Sequence, residues 1–217
     1  MSRGIFVTAT GTDVGKTYAS AQIVKYLRER GTNAGYFKAA LSGAEEREGG
    51  LVPGDAAYVC RQAGLSADPA ELVPFVYRAA LSPHLAARLE NRPVSMPEVE
   101  AAFRRVVENY DFVVAEGSGG IVCPLRYESG RRSETILLTD VIRMTGFPLL
   151  IVADAGLGTI NHTVLTAAYV RSQGLAVRGV LLNRFRQGDA MHEDNRKMVE
   201  ALTGLPVLAC LPDRARG

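Results

Sequence analysis

The sequence predicts an α/β fold: a single domain over residues 1–217, with a doubly wound, mostly parallel sheet flanked by helices on both faces. Three features predict it. Short β-branched apolar runs alternate with stretches of helical spacing along nearly the whole chain, which implies parallel strands joined by crossover helices. The first run is followed at once by a loop, Thr10-Gly11-Thr12-Asp13-Val14-Gly15-Lys16-Thr17, and then by helical spacing. A later run, residues 111 to 116, ends on a carboxylate, Glu116.

Taken in order, residues 4 to 9 read as a buried strand. Residues 16 to 30 read as a helix with Ala19, Ile23, Tyr26 and Leu27 on one face, stopped by Gly31. A second strand fits residues 34 to 38, and a helix fits residues 55 to 63, ended by Gly64. Residues 96 to 109 form an amphipathic helix with Met96, Val99, Phe103 and Val106 or Val107 inward. After the strand at 111 to 116 come a helix at 136 to 145, a strand at 148 to 153 and a helix at 160 to 173. A strand at 177 to 182, a helix at 192 to 203 and a last strand at 207 to 209 complete the pattern. Residues 42 to 54 hold Gly43, Gly49, Gly50, Pro53 and Gly54 beside Glu45, Glu46, Arg47 and Glu48. They are expected to form an exposed, mobile insertion. There is no repeat, low-complexity segment or linker. Right-handed crossovers place any ligand at the carboxyl ends of the strands.

Composition narrows the function classes. With 25 basic against 23 acidic side chains, the net charge is +2, so nothing suggests a nucleic-acid binder. No apolar stretch is long enough for a membrane helix, and the N-terminus lacks the parts of a signal peptide. Cys60, Cys123 and Cys210 form no paired motif, which fits reduced thiols in a cytoplasmic protein. Cys123 reads as a small buried hydrophobe.

The loop before Thr17 has the strand–loop–helix context of a phosphate loop of the P-loop NTPase kind. Its backbone N–H groups, with those of Asp13, Val14 and Gly15, would cradle phosphate oxygens at a helix N-terminus. Lys16 would reach the terminal phosphates and the Thr17 hydroxyl a Mg²⁺ ion. The spacing is imperfect, since Thr10 stands where the common pattern has glycine. Partitioning ATPases carry a second lysine five residues before this one, and Gly11 stands there. Glu116 leaves its strand on the loop's side, followed by Gly117-Ser118-Gly119-Gly120, and is a hard oxygen ligand of the type Mg²⁺ takes. Asp55, on its own, reads as a helix N-cap. His84 reads as structural and His192 as a surface residue.

In one order along residues 4 to 212 the chain carries the phosphate loop, Lys38-Ala39-Ala40-Leu41-Ser42-Gly43 and Ser82-Pro83-His84. Glu116-Gly117-Ser118-Gly119-Gly120, Gly158-Thr159-Ile160-Asn161-His162 and Asn183 follow. That set resembles dethiobiotin synthetase. The resemblance implies closure of a ureido ring from 7,8-diaminopelargonate, CO₂ and ATP with Mg²⁺, through a carbamate and a carbamic-phosphoric anhydride. It implies Lys16 and Lys38 as the cations on phosphate and carbamate oxygens, with Thr12 as a third contact. Thr17, Asp55 and Glu116 become the metal shell. Ser42 and Gly119 become substrate contacts, and Thr159, Ile160 and Asn161 the receptor of the distant substrate carboxylate, supplied by the other subunit of a homodimer. Asn183 becomes the reader of adenine, and Pro212 a further nucleotide contact. The chain departs from the family pattern at Ala9, Asp13 and Ala39-Ala40.

Two other readings compete. One is a related amide-forming synthase acting on a larger carboxylate, which would need a glutaminase domain that 217 residues leave no room for. The other is a nucleotide-switch ATPase, for which the second loop lysine is missing.

Overall fold

The computed structural model describes residues 3–48, 50–128 and 134–212. Its frame is a six-stranded parallel sheet. The strands are β1 (Arg3–Ala9), β2 (Ala34–Lys38), β7 (Phe112–Glu116), β10 (Leu149–Asp154), β11 (Val177–Phe185) and β12 (Val207–Pro212), in the order β12-β11-β10-β1-β7-β2. The main helices are α1 (Lys16–Arg28), α2 (Gly54–Ala63), α4 (Met96–Asn109), α5 (Leu138–Thr145), α6 (Thr159–Ser172) and α7 (Ala190–Thr203). From β1 the chain runs one way to β2; from β7 onward it runs the other way. Right-handed crossovers therefore set α1 on one face and α4 to α7 on the other, and α2 packs against α1.

Each strand's alternation feeds both faces. Ile151, Val180 and Leu182 join a core cluster with Ala167 of α6 and Val199 of α7. On the other face, Ile5, Leu150, Leu181 and Leu208 line an apolar groove of about 500 Å³ with Ile23 and Tyr26 of α1. Ala19, Ile23, Tyr26 and Leu27 share one face of α1, and that face lines this groove. Tyr26 is 54% exposed and Leu208 55%, while α1 buries Ala19, Ala21 and Val24.

Local elements also correct the sequence reading. Residues 42 to 54 are not an irregular insertion. They hold an antiparallel hairpin, β4 (Glu45–Arg47) with β5 (Gly50–Val52); Gly49 lies outside the described residues. β3 (Ala40–Ser42) pairs with β6 (Phe75–Tyr77), and β8 (Pro124–Tyr127) pairs with β9 (Thr135–Leu137), which takes the start of the helix expected from 136. A short helix, α3 (Pro83–Leu89), holds His84. Three-residue strands give too few alternations for a period to show. His192 is not on the surface. It is buried, its Nδ1 accepts from Arg186 N at 2.9 Å and its ring packs on Phe185.

Candidate active site

The parallel strands deliver their carboxyl ends to one edge, and the loop after β1 crosses it. Gly15, at φ +97°, turns that loop into α1. A Cβ at Gly15 would lie 2.1 Å from Asn183 Nδ2, so both conformation and space require glycine. Lys16 is buried and bends back, its Nζ donating to Gly11 O at 3.1 Å. Gly117 lets the segment after β7 pass close to the first strand: a Cβ there would meet Leu138 Cδ2 at 2.7 Å and Phe6 Cε1 at 3.2 Å.

Beside the loop lies a cavity of about 490 Å³, and Lys16, Thr17, Lys38, Asp55 and Glu116 line it. Lys38 ends β2 directly opposite Glu116 at the end of β7. Its Nζ donates to Glu116 Oε1 at 2.9 Å and to Asp55 Oδ2 at 2.5 Å. The Thr17 hydroxyl also donates to Glu116 Oε1, at 2.9 Å. Three hard oxygen groups thus converge from α1, α2 and β7. Two carboxylates and one hydroxyl, open to a cavity, form the kind of donor set Mg²⁺ takes when phosphates and waters complete its shell. Asp55 does not cap its helix; Pro53 holds the N-cap position and Asp55 lies in the first turn, which frees its carboxylate to face the cavity.

Electrostatics follow from this packing. Burial pulls the Lys16 ammonium below its ordinary value, and the neighbouring Lys38 charge pulls it further. Burial acts the same way on Lys38, but the Glu116 and Asp55 carboxylates outweigh it and hold Lys38 above its ordinary range. Burial would raise Asp55, and Lys38 outweighs that too, leaving Asp55 low. Tyr36 carries no signal in the sequence as a site residue. It is fully buried and donates to Glu116 Oε2 at 3.0 Å. Burial first, and the Glu116 charge second, push its phenol well up, so Tyr36 stays a donor and fixes the carboxylate's orientation. Its place two residues before Lys38 puts it on the same side of β2.

Thr12, Asp13, Ser42 and Gly119 also line the cavity, as do Ser118 and Arg184, which the sequence reading did not assign. Ser42 Oγ donates to Leu81 O at 2.6 Å. Asn183 ends up behind the loop, donating from Nδ2 to Val14 O at 2.9 Å. Thr159, Ile160, Asn161 and Pro212 are not among the residues lining this cavity. Gly158 is the N-cap of α6; it takes φ +90°, and Thr159 is the buried first helical residue. Leu157 beside it is 93% exposed. Cys123 is buried, and burial pushes its thiol up to about 11, as a packing role requires. His84 is half-buried with an unpartnered Nδ1.

Comparison with known proteins settles the family. The chain matches the model of a family described as an AAA domain over residues 3–216. It is 46% identical to the ATP-dependent dethiobiotin synthetase of Brachyspira hyodysenteriae over 98% of this chain and 93% of that one. The chain belongs to the dethiobiotin synthetase family. The enzyme of the same name from Clostridium botulinum strain Langeland is also 46% identical, over 97% of this chain and 91% of that one. Among solved structures, the MinC:MinD complex of Aquifex aeolicus aligns with a TM-score of 0.58 at 13% identity, covering 99% of this chain and 83% of that chain. The Pyrococcus horikoshii MinD bound to Mg-ADP gives 0.57 at 15% identity, with the same coverage. At such identities these two report the shared fold alone. No described helix of the family member in hand is long and apolar enough to cross a membrane.

Proposed function

We propose that this chain is an ATP-dependent ligase that closes the ureido ring of dethiobiotin from 7,8-diaminopelargonate and CO₂. The observation that carries the proposal is a pair of buried lysines, Lys16 and Lys38, on one cavity that hydroxyls, carboxylates and glycine backbone also line. A carbamate oxygen attacking the γ-phosphorus of ATP releases ADP and leaves a carbamic-phosphoric anhydride. The second amine then attacks the anhydride carbon, and phosphate departs. Negative charge accumulates on phosphoryl and carbamate oxygens at both steps, and preorganised cations lower its energy. Lys16 serves the phosphate end and Lys38 the carbamate end, with Thr12, Ser42 and Gly119 positioning the diamine. Both amines are nucleophilic once deprotonated, so they need placement more than activation. No described lining residue is a histidine.

Thr17, Asp55 and Glu116 would hold Mg²⁺, whose charge would neutralise the phosphates. Asp13, Val14, Gly15 and Lys16 embrace those phosphates. Asn183 Oδ1 offers the acceptor that an adenine amino group takes. Pro212, at the end of β12, borders the base side. The reaction class sets a direct test: ATP should be cleaved to ADP and phosphate only when diaminopelargonate and bicarbonate are both present. Steady hydrolysis without them, and no ureido product by mass spectrometry, would overturn the ligase reading.

The same reading includes a cytoplasmic homodimer with shared sites, acting through a single domain per subunit. It is supported by the placing of residues 159 to 161 outside their own chain's cavity, at a helix N-terminus suited to a carboxylate. The bare Leu157 side chain beside them gives a partner surface something apolar to cover. Mixing an inactive Lys16→Ala chain with an inactive Asn161→Ala chain should restore part of the activity, because one of the two sites in the mixed dimer is intact. Confirmed subunit exchange without recovery would refute shared sites.

A further inference from the structure

Arg184 is where the structure departs most from the sequence reading of the site. In a regular strand, consecutive side chains point to opposite faces of the sheet. At the end of β11, Asn183 and Arg184 instead reach the same loop. Asn183 Nδ2 donates to Val14 O at 2.9 Å, and the Arg184 guanidinium donates to Asp13 O at 2.6 Å. The reason is backbone: Arg184 takes φ +56°, in the left-handed region, and the pairing of β11 with β12 shifts register at this point. Asp13, at the receiving end, is also left-handed at φ +59°. Residues other than glycine hold this conformation at a cost, and keep it where surrounding contacts impose it. Asp154, at the end of β10, supplies the anchor. Its Oδ2 accepts from Arg184 at 2.5 Å and its Oδ1 accepts from Gly156 N at 2.8 Å.

We infer that Asp154 and Arg184 are positioning residues for nucleotide binding. They clasp the phosphate loop at the rim of the cavity and hold the Asp13 peptide in the conformation that turns the following N–H groups inward. The inference rests on the reading of the cavity as a nucleotide site. The clasp is local: the side chains of Arg184 and Asp154 are 46% and 36% exposed, and ion pairs that open to water add little to global stability. Its effect is therefore on the loop's order before nucleotide arrives, which appears in nucleotide affinity.

Two substitutions remove the clasp without disturbing its surroundings. Arg184→Asn deletes the guanidinium and installs a residue that tolerates the left-handed region. Asp154→Asn keeps an oxygen for Gly156 N and loses the charge. Each should weaken binding of a non-hydrolysable ATP analogue, measured by calorimetry, about ten-fold, the scale of one charge-assisted hydrogen bond. KM for ATP should rise with it, kcat should move far less, and the melting temperature should hold. The double variant should be no weaker than Arg184→Asn alone, since Asp154 reaches the Asp13 peptide only through Arg184. Wild-type affinity in the Arg184→Asn variant overturns the inference. So does a joint decline of melting temperature, kcat and the KM of both substrates, which marks a merely structural role. If the wild-type chain itself binds no ATP analogue, the nucleotide reading falls first and the clasp with it.

Discussion

Replacing Lys16 with alanine is expected to lower turnover at least about 100-fold, the loss seen when one preorganised donor is taken from a developing oxyanion. The fold should survive the change. The Lys16 ammonium makes one hydrogen bond, to Gly11 O, and stands close enough to Lys38 for their charges to repel. Removing it relieves that repulsion and leaves no carboxylate stranded, because Asp55 and Glu116 keep Lys38. Steady-state kinetics with a melting curve on the same preparation measure both halves of the expectation. Turnover within about three-fold of wild type in a folded variant would place the reacting phosphate elsewhere.

Lys38→Met should behave differently, with two losses at once. Lys38 is the counter-charge of Glu116, whose side chain is fully buried, and of Asp55, whose side chain is one-third exposed. Breaking a buried pair by deleting one partner costs about 3–5 kcal/mol because the other charge is left uncompensated. The exposure of Asp55 places the expected loss toward the lower end. Turnover should also collapse, since the carbamate loses its cation. The sign of the metal response separates this from plain unfolding. With the ammonium gone, two carboxylates and the Thr17 hydroxyl face one another without the cation that bonds to both carboxylates. Added Mg²⁺ or Mn²⁺ should therefore raise the melting temperature of Lys38→Met by more than it raises that of wild type. An equal response in both proteins would mean that Lys38 and the metal do not share these oxygens.

The two lysines show how differently a site can be written into a chain. Lys16 is legible because its neighbours in sequence are its neighbours in space: strand, loop, glycine and helix follow one another, and the anion site is built by local backbone geometry. Lys38, Asp55 and Glu116 are far apart in the chain. Taken alone, Asp55 reads as a helix cap and Lys38 as a strand-end lysine, and the resemblance to a family was needed to draw them together. Tyr36 was not legible at all. A tyrosine in a buried strand reads as core, and only the register of β2 on β7 puts its hydroxyl on Glu116.

By itself, the sequence determined the alternation of strands and helices, the parallel sheet and the phosphate loop, because each depends on a period or a spacing within a short window. The short pairings, β3 with β6 and β8 with β9, join segments too brief for a period to show, and tertiary contacts alone decided them. The same holds for the groove between α1 and β12, whose rim leaves Tyr26 and Leu208 exposed. It holds most clearly at Arg184. One left-handed residue at the end of β11 reverses a side chain that strand alternation sends the other way. Nothing in a window around Arg184 encodes that, since the contacts sustaining it come from Asp154, 30 residues earlier, and Asp13, 171 residues earlier.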